Sequence, residues 1–456
     1  MFDRKVIASG DPKRRNDMLS IMEAALRAVD PYGAVRERVK RRGNALTIGP
    51  NRYDLGVIQR VSVVGAGKAS ARMAQAVEEI LGDRIAEGWV NVRYGYGART
   101  GRIHIHEAGH PIPDENGVVG TKEILRIAER VGKDDLLVVL ISGGGSALLV
   151  EPAAGIDLRD IQATNRLLLE SGASIGEINA VRKHLSRVKG GQLAKAAYPA
   201  TIVSLILSDV IGSPLDVIAS GPTVPDSSTY RDAWNVLAKY NLLDKIPRAV
   251  RKRLERGING LEQETPKPGD EVFSRSYVVL VGDNRVAAEA AVEEASLRGY
   301  KALLLTTFLE GEAREAGKFV ASLAKEELAS SKPLPLPACL VMGGETTVTV
   351  LGDGLGGRNQ ELALSAAIAM ESFSDGVLIA SLGTDGTDGP TDAAGGIVDS
   401  RTVERGKAAG LSAVESLANN DSYTFLKAAA GLLVTGPTMT NVNDLVLVCV
   451  YRRDEE

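Results

Sequence analysis

Residues 61–70 read VSVVGAGKAS, and residues 136–147 read LLVVLISGGGSA. In each, a short, mainly aliphatic run gives way to a glycine-rich turn. A run this short and this continuous suits a strand covered on both faces, as parallel strands in α/β layers are. The same punctuation recurs at 201–207, 277–281, 301–306, 338–342 and 377–382. Between these runs, 69–81, 118–131, 285–297 and 359–370 space their apolar residues as amphipathic helices do. Strand then helix, repeated, predicts parallel βαβ units rather than a sandwich or a bundle.

The composition agrees. Of 456 residues, 44% are hydrophobic and 25% charged, while aromatics supply only 4%, so the core falls to Val, Ile, Leu and Ala. The stretch 257–276, GINGLEQETPKPGDEVFSRS, is polar and rich in Gly and Pro and marks the best boundary. The expected fold class is therefore α/β in two lobes. A larger N-terminal Rossmann-like parallel sheet with helices on both faces spans 1–271, and a smaller C-terminal α/β lobe spans 272–456. The strand 445–451 can join either sheet.

A net charge of −4 gives no electrostatic case for nucleic acid or an anionic membrane. The basic stretch 36–42 reads as a solvated helix face. Cys339 and Cys449 lie in apolar runs and read as buried free thiols. No apolar run approaches the ~18 residues of a membrane span, and no signal peptide opens the chain, so a cytoplasmic protein is expected.

In open α/β sheets ligands sit beyond the carboxyl ends of the strands, so the loops there carry the functional reading. The first, 65–70, satisfies neither a Walker A loop, having Ser62 and Ala69 at two required positions, nor a dinucleotide loop, whose ribose acid is missing where 89–93 ends in Arg93. It leaves Gly67 and a cation, Lys68, at a helix start that already attracts anions; a tight turn with a solvated lysine is the plainer alternative. The second loop, Ser142, Gly143, Gly144, Gly145 and Ser146, lets backbone N–H groups close on an oxyanion, although glycine also serves plain turns. Asp209, Glu345, Asp385 and Asp388 follow other strands, where carboxylates can hold Mg²⁺ or accept a hydroxyl proton. Arg358 enters a helix after two glycines and suits bidentate contact with carboxylate or phosphoryl oxygens, unless it is a surface ion pair. His104, His106 and His110 lack the partners of a familiar zinc site.

Long strings now add a resemblance: GAGKAS at 65–70, GHPIPDENG at 109–117, SGGGSALL at 142–149, INAVRKHLSRVKGG at 178–191, SDVIGSPLDVIASGPTVPD at 208–226, GGRNQELAL at 356–364 and GTDGTDGPTDAAGG at 383–396. From about residue 18 to 450 the sequence resembles the class II glycerate kinases, whose C-terminal part is called the MOFRL domain. GPTMTNVNDL at 436–445 resembles the family's terminal signature, with Met439 where a small residue is expected. The resemblance implies transfer of a phosphoryl group from ATP to D-glycerate, giving 2-phosphoglycerate, with Mg²⁺ or another divalent cation. It also implies two α/β lobes with the active site in the cleft. The family's lysine and arginine match Lys68 and Arg358.

On that footing Lys68 and Arg358 are expected to anchor the glycerate carboxylate and the transferring phosphoryl group, with their roles undivided. Asp209 is expected to orient or deprotonate the attacking hydroxyl, Glu345 and Asp385 to hold the metal, and Lys189 and Asn284 to support nucleotide binding. The partners expected are D-glycerate and ATP, with no nucleic acid and no membrane; a homodimer is among the oligomeric states left open. One rival is an NAD(P)H-dependent hydroxypyruvate reductase, with Arg93 serving an NADP phosphate. Another is a non-catalytic sugar-acid sensor.

Overall fold

The computed structural model describes residues 1–373 and 375–452. It divides into two compact units: Pro31–Val281, and Met1–Asp30 together with Gly282–Glu456.

The unit Pro31–Val281 begins with a small antiparallel sheet of β1 (Val39–Arg42), β2 (Ala45–Ile48) and β3 (Asn51–Asp54). The basic stretch 36–42 is thus only partly a helix face. Helix Pro31–Arg38 stops, and Val39–Arg42 alternates buried and exposed residues as an edge strand. Four residues are too few for that period to stand out in the sequence.

The main sheet of this unit has β4 (Val61–Ala66), β5 (Ile85–Arg93), β6 (Ile103–Ala108), β7 (Leu136–Ile141), β8 (Thr201–Leu207) and β9 (Ser276–Gly282), in the order β6-β5-β4-β7-β8-β9. Strands β4 to β8 pair in parallel. Every residue of β4 and β7 is buried, which accounts for their unbroken aliphatic character. Helix Glu115–Ala128, capped by the Asp114 side chain, sets Ile124, Leu125 and Ile127 against Val64, Leu137 and Val139. From β4 the chain adds β5 and β6 on one side, then returns to lay β7 on the other. The order therefore reverses between β4 and β7, the switch point at which such sheets open a crevice.

Strand β9 lies beyond the boundary read from composition, yet it joins this sheet, and Ile202 N donates to Arg275 O at 2.9 Å beside it. The polar stretch 257–276 is a surface connection returning to the same sheet. Its composition reports exposure rather than a change of unit.

The other unit draws in the N-terminus. Helix Pro12–Ala28 buries Met18, Leu19, Ile21 and Met22. Arg15, fully buried, reaches Asp399 Oδ2 at 2.6 Å, and Thr440 Oγ1 donates to Val29 O at 2.6 Å. The sheet comprises β10 (Lys301–Leu309), β11 (Ala338–Gly344), β12 (Val377–Gly383), β13 (Gly395–Asp399), β14 (Leu432–Leu433) and β15 (Asp444–Val450), in the order β10-β11-β15-β12-β13-β14. Only the β10–β11 pairing is parallel; the other four are antiparallel, against the expectation of repeated βαβ units. A strand buried on both faces reads as the same aliphatic run in either direction. Cys339 and Cys449 face each other across β11 and β15, buried and without a disulfide. Among the described residues no helix is long and apolar enough to cross a membrane.

Candidate active site

In the unit Pro31–Val281, the loops after β4 and β7 flank the switch point and are tied to each other. Lys68 N donates to Gly143 O at 2.8 Å and Ala69 N to Ser142 Oγ at 3.0 Å, while the Ser70 and Ser142 hydroxyls lie 2.9 Å apart. Helix Ser70–Leu81 has no side-chain cap of its own, so Ser142 of the neighbouring loop satisfies an N–H at its start. Lys68 therefore projects, half-buried, from a main chain held by the triglycine loop.

The glycines decide what surrounds it. A Cβ on Gly143 would stand 2.1 Å from Asp209 Oδ2. A Cβ on Gly144, at φ +82°, would meet the His110 ring at 2.9 Å and Lys68 Cγ at 3.4 Å. Without those carbons, Asp209 from the end of β8, His110 from the end of β6 and Lys68 from the end of β4 close on one loop. Gly67 is equally confined, since a Cβ there would fall 2.1 Å from Ser142 Oγ. The structure thus brings Gly67, Lys68, Ser142–Ser146 and Asp209 together.

Two neighbours escape sequence reasoning as parts of this cluster. His110 Nδ1 is buried without a hydrogen-bond partner, and burial, helped by Lys68 and Arg93, pushes its pKa down to about 4, so the ring is neutral at pH 7. Ser146 Oγ lies 2.9 Å from Ser220 Oγ, within a run of left-handed residues: Ala219 (φ +50°), Ser220 (φ +61°) and Gly221 (φ +62°). That conformation costs about 1–2 kcal/mol for a residue with a Cβ, and such strain gathers at functional sites. Ala and Ser do not advertise it in sequence. Lys189, 5% exposed, donates to Ser146 O at 2.7 Å and Leu149 O at 3.0 Å, bracing the turn that follows the glycines.

In the other unit, Arg358 opens helix Arg358–Met370. Its Nε and Nη2 donate to Asp444 Oδ2 and Oδ1 at 2.6 and 2.9 Å, and Nη1 lies 2.8 Å from Glu345 Oε1. Asp444 opens β15, paired with Gly344 and Gly383, the last residues of β11 and β12. Three strand ends thus meet at one edge. Burial pushes the Asp444 carboxyl up to about 6 against the opposing pull of Arg358. Burial works against the Arg358 charge too, but Asp444 and Glu345 outweigh it and hold the guanidinium above its usual value. Asp444 lies within the terminal signature and is not singled out by sequence; its signal is a lone acid opening an aliphatic run.

The remaining acids separate by role. Asp388, 3% exposed, accepts from Asn359 N at 3.1 Å and Gln360 N at 2.9 Å, capping the Arg358 helix where Gly357 has no side chain. Asp385 Oδ1 accepts from Thr387 N and Oγ1, both at 3.0 Å, in a turn after β12. Glu345 Oε2 accepts from Asn443 Nδ2 at 2.8 Å. Among the described residues, no three His, Cys, Asp or Glu side chains converge as a metal cage. Asn284 donates its amide N–H groups to Val442 O at 2.8 Å and Asp444 O at 2.9 Å, fixing the main chain around Asp444, while its buried Oδ1 has no hydrogen-bond partner.

Comparison with known proteins matches this arrangement to a family. Residues 338–444 fit the MOFRL family, and residues 17–255 fit a family described as a domain of unknown function, DUF4147. A Thermotoga maritima protein named D-glycerate 2-kinase is 46% identical over 94% of this chain and 96% of its own. A crystal structure of glycerate kinase from the same organism superposes with a TM-score of 0.86 at 45% identity, covering 96% of this chain and 99% of that one. A protein from Agrobacterium vitis, 42% identical over 96% of this chain and 95% of its own, carries a provisional hydroxypyruvate reductase name. The chain belongs to the glycerate kinase family that ends in the MOFRL domain.

Proposed function

We propose that this chain transfers the γ-phosphoryl group of ATP to the 2-hydroxyl of D-glycerate. The observation that carries this reading is the loop pair at the switch point, where Lys68 and the triglycine turn face Asp209. Phosphoryl transfer asks for in-line placement and positive charge more than for covalent chemistry. The N–H groups of Gly143–Ser146 and the Lys68 ammonium receive anionic oxygen. Asp209 orients the acceptor hydroxyl and takes its proton as the oxygen bonds to phosphorus and the β–γ bridging oxygen leaves with ADP. Arg358, held in register by Asp444, supplies the second cation.

A hydrated Mg²⁺ needs only one or two carboxylates besides substrate phosphates. Glu345 and Asp385, on loops at one sheet edge, fit that demand and would hold it. When bound, the ion would neutralise charge on the phosphates. The proposed setting is the cytoplasm.

The Rossmann-like strand order and Arg93 at the end of β5 favour the reductase as the second reading. Incubation with D-glycerate, Mg²⁺ and ATP, coupled to enolase without mutase, separates the two. An immediate signal is expected, because enolase accepts only the 2-phosphate. ADP without that signal moves the phosphate to another position or substrate. No ADP, with NAD(P)H consumed on adding hydroxypyruvate, supports the reductase; binding of glycerate without turnover supports the sensor.

A further inference from the structure

Beside Gly144, within the unit Pro31–Val281, lies a recess of about 170 Å³. Its walls are apolar in part, with Pro111, Val150, Ile161 and Leu185, and its polar side chains include Arg182 and Lys189. Lys189 is buried and Arg182 partly so, yet among the described residues neither is ion-paired with a carboxylate. Arg182 Nε donates to the neutral Asn165 Oδ1 at 2.9 Å, and Lys189 donates only to the carbonyls named above. A buried charge is ordinarily paired, so Lys189 without a carboxylate partner, beside a second cation, indicates that a ligand brings an anion. The other titratable groups on the wall agree. Glu151 lies 7% exposed with a buried Oε2 lacking a hydrogen-bond partner, and burial pushes its carboxyl upward, toward the neutral form. His110 brings its own unpartnered Nδ1 and stays uncharged. Burial, with the repulsion of Arg182, pushes Lys189 down to about 7, which an entering anion would reverse.

The size selects the ligand. Sites for larger ligands run from roughly 300 Å³ upward. This recess falls below that range, which suits a three-carbon acid better than a nucleoside triphosphate. We infer that the recess seats the carboxylate of the acceptor acid, with Arg182 and Lys189 as its counter-charges and the acceptor's hydroxyl end turned toward Gly144 and Lys68. Arg182 is then a specificity residue for acids over polyols, and Lys68 is left to the phosphoryl group. The inference rests on the kinase reading, so wild-type turnover is established first; its absence sinks that reading before any variant is compared.

The test is steady-state kinetics of full-length Arg182→Gln and Arg182→Lys, varying D-glycerate and ATP separately. Losing a hydrogen bond to a charged group should raise the glycerate KM of Arg182→Gln about 10- to 100-fold, with little change in kcat or in the KM for ATP. Arg182→Lys should recover part of it. Should Arg182→Gln fail to fold, Ile161→Trp, which plugs the recess and keeps both cations, must raise the same KM. A folded Arg182→Gln with unchanged glycerate KM overturns the inference. So does a rise confined to ATP, which would give the recess to a nucleotide phosphate.

Discussion

Lys68 and Arg358 occupy the same kind of place, a helix start after glycines at the carboxyl edge of a sheet, yet they are held by opposite means. Lys68 is positioned through its main chain: Gly143 O, Ser142 and Ser70 fix the backbone, and among the described residues no ion pair ties the ammonium. Arg358 is positioned through its side chain, gripped bidentately by buried Asp444 and touched by Glu345. The first arrangement leaves a charge at liberty to follow a moving group. The second sets a charge in advance, at the risk of stranding its partner.

Removing either cation should abolish turnover, and only stability should tell them apart. Lys68→Ala and Arg358→Ala should each lose 10³-fold or more in kcat/KM, the scale set by charge-stabilising groups in phosphoryl transfer. Denaturant titration should then split them. Arg358→Ala leaves the 4%-exposed Asp444 unpaired and should cost about 3 kcal/mol, whereas Lys68→Ala should stay within about 0.5 kcal/mol. Equal stability losses would break the contrast.

The comparison also shows what was legible in sequence. The strands at 136–141 and 201–207 fall where their aliphatic runs end, and the loops holding Lys68, Ser142–Ser146 and Arg358 follow from them. Strand direction in the second sheet was not legible, because β15 inserts antiparallel between β11 and β12 and burial on both faces erases the difference. Nor was the contribution of Met1–Asp30 to the second unit, since helix Pro12–Ala28 carries no mark of its distant partner Asp399. At the site, sequence finds groups that stand on loops after strands. It misses Asp444, which opens a strand, and Arg182, which lies inside a helix, because their roles depend on what packs around them. Nor does sequence show that the Asn284 amide N–H groups are spent on main-chain carbonyls.

A smaller change should strike Lys68 through the main chain that holds it. Gly144→Ala sets a methyl against His110 and Lys68 at a left-handed φ, with a strain of about 1–2 kcal/mol. Displacing the lysine by even about 1 Å can cost 10²-fold, so kcat/KM should fall by roughly that factor. Normal kinetics would show that the loop yields without moving the cation.

The titration of Lys189 gives a subtler test. Its folded pKa, about 7, lies below the free lysine value, so the empty site carries the charge below pH 7 and loses it above. Glycerate affinity, measured by calorimetry, should therefore weaken as pH rises through 7. The stability of the ligand-free protein should move the other way. Between pH 7 and the unfolded lysine pKa near 10.4 the unfolded chain binds more protons, so this group's contribution grows as pH rises and is lost as pH falls toward 7. Affinity flat from pH 6 to 8 would mean that Lys189 only braces Ser146 and Leu149.

The smallest effect is expected where a glycine-like conformation is held by another residue. Met439, in the terminal signature, adopts φ +64° with 36% of its surface exposed. Met439→Gly removes a left-handed strain of about 1–2 kcal/mol but adds about 0.5–1 kcal/mol of freedom to the unfolded chain. The net gain should be no more than about 1.5 kcal/mol, a Tm rise of a few degrees or less for a chain of this size. Met439→Ala keeps both the Cβ and the strain and should not show it. If glycine lowers Tm instead, contacts of the Met439 side chain outweigh the strain, and this loop, like Arg358, is held through a side chain rather than through its backbone.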